Sequence, residues 1–174
     1  MYKYFFLPAL LMLTSCSSYD LKQLGLLEAS FPVFTSGEEN YTCYRIPAII
    51  QAPNGHLLAF CEGRINGCSD TGDIDLIMKR SEDNGATWNA IQVIWDDTTN
   101  TCGNPAPIVD AETGAIHLLS TWNLGTDREP EIIDQTSEDT RHVYAIQSID
   151  NGATWSKPKK ITKDVKLPNW TWYA

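Results

Sequence analysis

An octapeptide occurs twice in this chain, as Ser81-Glu-Asp-Asn-Gly-Ala-Thr-Trp88 and as Ser148-Ile-Asp-Asn-Gly-Ala-Thr-Trp155, with seven of eight positions identical. The copies begin 67 residues apart. Self-similarity at a long period is the mark of a repeat architecture and restricts the fold more than composition does. Each copy reads as a turn. Asn and Gly tolerate φ > 0, the Ser and Asp side chains can hydrogen-bond the loop backbone, and the Trp buries a large ring under the turn. An Asn-Gly pair alone would mark only a hairpin. Ser, Asp, Gly, Thr and Trp matched in register mark a repeated unit.

The text around the repeats reads as strands. Residues 45–50 run into Pro53-Asn54-Gly55 and residues 56–61 return, two apolar runs on either side of an Asn-Gly turn. Residues 74–80 and 90–95 flank the first octapeptide, and residues 106–109 and 115–122 pair across 110–114. A polar, charged stretch over 124–140 reads as a long surface loop. Residues 143–148, the second octapeptide and residues 159–161 then repeat the second hairpin. Short strands at regular spacing without a long helix predict an all-β meander.

Composition narrows the function. With 43% hydrophobic residues and 20% charged, the 174-residue chain has a globular make-up. The formal net charge of −9 argues against a nucleic-acid partner, and it requires any anion site to be a local cluster of Arg. At the N-terminus, Lys3 precedes an apolar run over 4–13, too short to span a bilayer and the length of a signal-peptide core. It ends in Leu13-Thr14-Ser15-Cys16, which resembles a bacterial lipobox. On that reading residues 1–15 are a lipoprotein signal peptide and Cys16 is the lipidated first residue, anchoring the domain to a membrane. The alternative is ordinary signal cleavage beside an incidental Cys. Residues 16–40 form a tether, with a short helix over 21–27, and the folded domain runs over 41–174. Cys43, Cys61, Cys68 and Cys102 allow three disulfide connectivities, and an exported protein can oxidise them. Nothing points to a metal: no Cys-x-x-Cys exists, His56, His117 and His142 are scattered, and an EF-hand count from Asp83 or Asp150 ends on Ile94 or Ile161 instead of Glu.

The pattern Ser-x-Asp-x-Gly-x-Thr-Trp resembles the Asp box of sialidases and related β-propellers, which joins the two outer strands of a blade. The resemblance covers roughly residues 40–174 and implies a six-bladed β-propeller. A blade takes roughly 40–50 residues, so this chain holds about the first two to three. An open arc leaves unpaired edges, which implies the N-terminal part of a longer protein. Tyr44-Arg45-Ile46-Pro47 resembles the family's Phe/Tyr-Arg-Ile-Pro motif, and the resemblance implies that Arg45 is one of three Arg clamping the sialic acid carboxylate. A planar fork of donors suits that task. The plain alternative is an edge-strand Arg snorkelling to solvent. Arg64, in Glu62-Gly63-Arg64, resembles the Arg that lines the pocket beside the first. Asp70, six residues on, matches the acid/base Asp that protonates the departing glycosidic oxygen and later activates water. Asp73 and Asp75 read as structural, paired with backbone amides or an Arg. Asn104, before Pro105, resembles a sugar-contacting position, or is a plain turn. Trp122 faces a sugar or, more simply, the core.

The resemblance implies a bacterial, lipid-anchored exo-α-sialidase of the cell envelope, on its periplasmic or outer-membrane face. It would act on sialylated glycans or glycolipids with retention and without cofactor. The Tyr nucleophile, its Glu partner and two clamp Arg have no counterpart in this chain, so the chain alone is expected to be inactive. The rival expectations are a carbohydrate-binding propeller without chemistry and an inactive truncated remnant.

Overall fold

The computed structural model describes residues 31–171. The expected signal peptide, Cys16 and the helix expected over 21–27 lie outside the described residues. The compact unit is Pro32–Ala174. Its strands are β1 (Cys43–Gln51), β2 (Leu57–Arg64), β3 (Ile74–Ser81), β4 (Gln92–Trp95), β5 (Thr101–Val109), β6 (Ile116–Asn123), β7 (His142–Ser148) and β8 (Lys159–Lys160). Two short helices, α1 (Glu129–Ile133) and α2 (Thr162–Val165), complete the inventory of described elements.

The strands form two antiparallel meanders, β1-β2-β3-β4 and β5-β6-β7-β8, each the pattern of one expected blade. A single parallel bridge, Ile74 to Thr101, links them. The first hairpin closes as expected, with the Gly55 N–H donating to Ala52 O (2.9 Å) and Gly55 at φ 90°. At the β5–β6 turn Asp110 accepts from the Glu112 N–H (2.9 Å) and the Thr113 hydroxyl (2.7 Å). The stretch expected as a surface loop over 124–140 is less simple. It holds α1, whose Ile132 is buried, and Asp127, whose buried carboxylate accepts from the backbone of Glu138 (3.2 Å) and Asp139 (2.9 Å).

β2 is buried along almost its whole length, which is why Leu57-Leu-Ala-Phe-Cys61 reads as a continuous apolar run instead of alternating. Side chains two apart share a face. Leu58 and Phe60 point with Leu76 and Met78 into a core completed by Cys102, Ile116, Leu118 and Ile146 of the second meander. Each such side chain contributes about 1.5–3 kcal/mol when fully buried. On the opposite face Cys61 and Ile77 meet Tyr41, with Phe34 and Tyr44 packed against them.

Both octapeptides fold into one hydrogen-bonded frame. Ser81 Oγ donates to Asp83 Oδ1 (2.8 Å) and accepts the Gly85 N–H (2.7 Å), while the Thr87 N–H and hydroxyl donate to Asp83 at 2.8 and 2.6 Å. The second copy repeats each contact through Ser148, Asp150, Gly152 and Thr154. The turns use φ 58° at both Asn84 and Asn151, as the Asn-Gly pairs predict. Asp83 and Asp150 are held down at about 2, first by the Thr hydroxyls. The second copy also joins the two meanders. Arg80 Nη2 donates to Gly152 O (2.7 Å), Gln92 Nε2 to Ala153 O (3.1 Å), and Trp155 sits edge-on to Phe60 with ring centres 5.7 Å apart.

Candidate active site

The candidate residues come from one end of the two meanders: the start of β1, the end of β2, the β2–β3 loop and the start of β5. In β1 the pairing with β2 shifts between Arg45 and Ala48, and Ile46 sits at φ 55° before Pro47. A β-branched residue in the left-handed region is a genuine outlier and costs about 1–2 kcal/mol. β5 repeats the device. Its pairing shifts between Gly103 and Ala106, and Asn104 sits at φ 54° before Pro105. Bulges of this kind re-aim side chains at strand ends. Sequence spacing does not show the correspondence between Ile46-Pro47 and Asn104-Pro105, because the insertion over 124–140 makes the octapeptide period longer than the strand period.

Asp70 joins the two expected arginines. Its Oδ1 lies 2.6 Å from Arg45 Nη1 and 2.8 Å from Arg64 Nη1. Asp70 and Arg45 are about half exposed, with side chains 52% and 44% accessible, whereas the Arg64 side chain is 3% accessible. Arg64 therefore lies beneath Asp70 instead of forming an open wall. Burial of the guanidinium is matched by acceptors. Nε donates to Glu62 Oε2 (3.0 Å), Nη2 to the same oxygen, and Nη1 to the carbonyls of Cys68 and Ser69, both at 2.7 Å.

A disulfide between Cys43 and Cys68 ties the same two segments together, with each Cys two residues before a partner of the Arg45–Asp70 pair. It is the one bond among these four Cys, so none of the three two-bond connectivities forms in full, and Cys61 and Cys102 are buried free thiols. Burial pushes the Cys61 thiol up to about 12, with its sulfur 3.0 Å from Arg45 O.

Asn104 belongs to a polar chain that continues into the second meander. Its N–H donates to Glu62 Oε1 (2.9 Å) and its Nδ2 to Thr121 Oγ1 (2.9 Å). Arg141 Nη2 donates to the same hydroxyl (2.8 Å), and Nη1 to Asn123 Oδ1 (3.1 Å). Glu62, Thr121, Asn123 and Arg141 escaped the sequence reading as site residues. For Glu62 a signal existed: residues 58, 60, 62 and 64 share one face of β2, so an acid and a base following Leu58 and Phe60 on a buried face imply a buried pair.

The other acids and aromatics have different duties. Asp75 meets neither an amide nor an Arg. Its Oδ2 accepts from the Tyr41 hydroxyl (2.7 Å), because Gly63 opposite leaves room for the Tyr41 ring, 2.6 Å from where a Cβ would stand. Trp122 packs against the core, stacks on His142 and donates to Asp97 (2.7 Å). The Tyr44 hydroxyl donates to Glu38 O (2.9 Å). Among the described residues no group of three or more His, Cys, Asp or Glu is arranged to hold a metal ion.

Chemically, the cluster offers a half-exposed guanidinium able to take a carboxylate, and a half-exposed carboxyl able to exchange a proton. The carboxyl is held from below by the buried Arg64–Glu62 pair, and Arg45 is held in turn by that carboxyl.

Comparison with known proteins places the fold. Residues 55–173 match the family model described as a BNR repeat-like domain. An exo-alpha-sialidase of Aspergillus fumigatus is 38% identical over 148 residues, covering 75% of this chain and 36% of the relative. A sialidase of Micromonospora viridifaciens is 34% identical over 143 residues, covering 78% of this chain and 22% of the relative. The chain thus spans about a third of the length of the curated relatives, or less. Among solved structures, a Hadza microbial sialidase superposes with a TM-score of 0.68 at 28% identity, over 79% of this chain and 29% of that one. A Trypanosoma rangeli sialidase, at 20% identity and TM-score 0.57 over 74% of this chain and 22% of that one, shares the fold. Two meanders side by side in an unclosed sheet match part of a sialidase β-propeller. The chain belongs to the family of the BNR repeat-like domain, and the relatives it resembles over that domain are sialidases.

Proposed function

We propose that the whole protein is an exo-α-sialidase, releasing terminal sialic acid from sialylated glycans or glycolipids with retention of configuration. Arg45 binds the substrate carboxylate, Asp70 is the acid/base, Arg64 holds Asp70 from beneath instead of lining the pocket, and Asn104 contacts the sugar. The observation that carries this reading is the Asp70 carboxylate bridged by Arg45 and Arg64 at 2.6 and 2.8 Å. A substrate carboxylate landing on Arg45 competes with Asp70 for the guanidinium and frees Asp70 to face the glycosidic oxygen. Once Arg45 turns to the substrate, Asp70 takes up a proton from solvent, and in the first step it gives that proton to the glycosidic oxygen as the bond to the sugar breaks. In the second it takes a proton from the attacking water. The nucleophile belongs to the part of the protein outside this chain, a Tyr paired with a Glu in the family pattern, as do two further clamp Arg.

The protein is, in this reading, a bacterial envelope lipoprotein anchored through Cys16. The Cys43–Cys68 disulfide supports export, since such bonds persist in oxidising compartments. The test is hydrolysis of a fluorogenic sialoside by the full-length gene product. Wild type turns over, Asp70→Asn loses about a hundredfold or more in kcat, and Arg45→Ala raises KM. Full activity in Asp70→Asn removes the assignment. Sialoside binding without turnover by wild type favours a carbohydrate-binding propeller instead.

A further inference from the structure

Glu62 lies where β2 meets β5, its side chain 3% accessible, and every partner it has is a donor. Oε2 accepts from Arg64 Nε and Nη2, and Oε1 accepts the Asn104 N–H at 2.9 Å. We propose that Glu62 is the positioning residue of this site: it aims Arg64 at the loop carrying Asp70 and locks Asn104 of the neighbouring meander into the same frame.

The argument is geometric. A guanidinium is planar, so holding its Nε–Nη2 edge decides where Nη1 points. Here Nη1 points at Cys68 O, Ser69 O and Asp70 Oδ1, three successive residues of the β2–β3 loop. Without Glu62 the Arg64 charge would be left in a buried position, with only the half-exposed Asp70 to oppose it. The second oxygen does separate work. Asn104 occupies its left-handed bulge with its N–H turned into the sheet interface, and the carboxylate receives it there. Gly103 makes this approach possible, because a Cβ at that position would stand 2.3 Å from Glu62 Oε1. One carboxylate thus sets the relative placement of residues on two meanders.

Because all three partners donate, Glu62→Gln keeps the shape but must turn its NH2 group toward a donor. Glu62→Asp keeps the charge, but its shorter side chain cannot hold both partners. The catalytic consequence rests on the sialidase reading; the positioning does not. The experiment therefore has two readouts on the full-length gene product: amide hydrogen exchange in peptides containing Ile65 and Asn104, and steady-state hydrolysis of a fluorogenic sialoside.

Glu62→Gln is expected to speed exchange at least about tenfold in both peptides and to leave residues 148–155 unchanged. It lowers kcat about a hundredfold, the scale of a misplacement near 1 Å, with a smaller change in KM. Glu62→Asp slows exchange around Ile65 back toward wild type and leaves Asn104 fast. Unchanged exchange in both peptides under Glu62→Gln overturns the proposal. So does a uniform rise through both meanders with kcat per folded molecule unaltered, since that is a purely structural role. If wild type fails to hydrolyse sialosides, the sialidase reading fails, and the exchange pattern still decides for or against Glu62.

Discussion

Substituting Asp75 by Asn tests the physics of the β2–β3 interface. Asp75 is 7% accessible, its Oδ2 accepts from Tyr41, and its Oδ1 has no hydrogen-bond partner in the protein. Burial pushes its carboxyl up to about 6, the Asp96 and Asp73 charges add to this, and the Tyr41 hydrogen bond works against it. A raised carboxyl binds its proton more tightly in the folded chain than in the unfolded one. Its contribution to stability is therefore fully present below about 3.8, the ordinary value, and is lost as pH rises through about 6. Between pH 4.5 and 7.5 the loss is about 2 kcal/mol. Asn is neutral throughout and still offers Tyr41 an acceptor, so Asp75→Asn should remove that slope. Urea unfolding midpoints at the two pH values measure it directly. Both lie above the range where Asp83 and Asp150, held down at about 2, begin to take up protons. An equal loss of stability in wild type and Asp75→Asn would refute the reasoning, placing the pH dependence elsewhere.

Other perturbations have equally definite outcomes. The Cys43→Ser/Cys68→Ser double variant should lose about 3 kcal/mol, because the bond closes a loop of 25 residues. Reduced wild type should melt at the same temperature as that variant. Gly152→Ala should destabilise by about 1–3 kcal/mol more than Gly114→Ala. Both glycines have positive φ, 79° and 72°, but a Cβ on Gly152 meets Leu58 Cδ1 at 2.6 Å and one on Gly114 meets only Pro53 Cγ at 3.6 Å. Thermal unfolding of the two variants side by side reads the difference.

The hairpins and the octapeptide turns were legible in the sequence because their signals are local. Asn-Gly at fixed offsets, alternation, and Ser-x-Asp spacing each specify backbone geometry within a few residues. Family resemblance singled out Arg45, Arg64 and Asp70 as candidates, and the structure brings both guanidiniums to the Asp70 carboxylate. What the sequence withheld depends on pairing across distance. The Cys43–Cys68 bond is one of six possible pairs among these four Cys, and the other two stay free. Asp75 with Tyr41 is a partnership created by the missing Cβ of Gly63. Ile132 and Asp127 looked like loop residues because a single apolar or acidic side chain in a polar stretch carries no periodicity, yet both are buried. Glu62 is the instructive case. Strand alternation places it on the core face, and a charge there requires a buried partner.

The central claim is that Asp70 delivers a proton to the departing oxygen, and leaving-group dependence tests it most directly. The measurement is kcat/KM, which reports the steps through glycosidic bond cleavage, for wild type and Asp70→Asn of the full-length gene product on two sialosides. One carries a nitrophenol, which departs without protonation, and the other a sugar alcohol, which needs it. The account predicts a loss of about 10²–10⁴ on the sugar and a much smaller loss on the first, bond-breaking step with nitrophenol. Equal losses on both would contradict it, leaving Asp70 as a partner that merely orients Arg45.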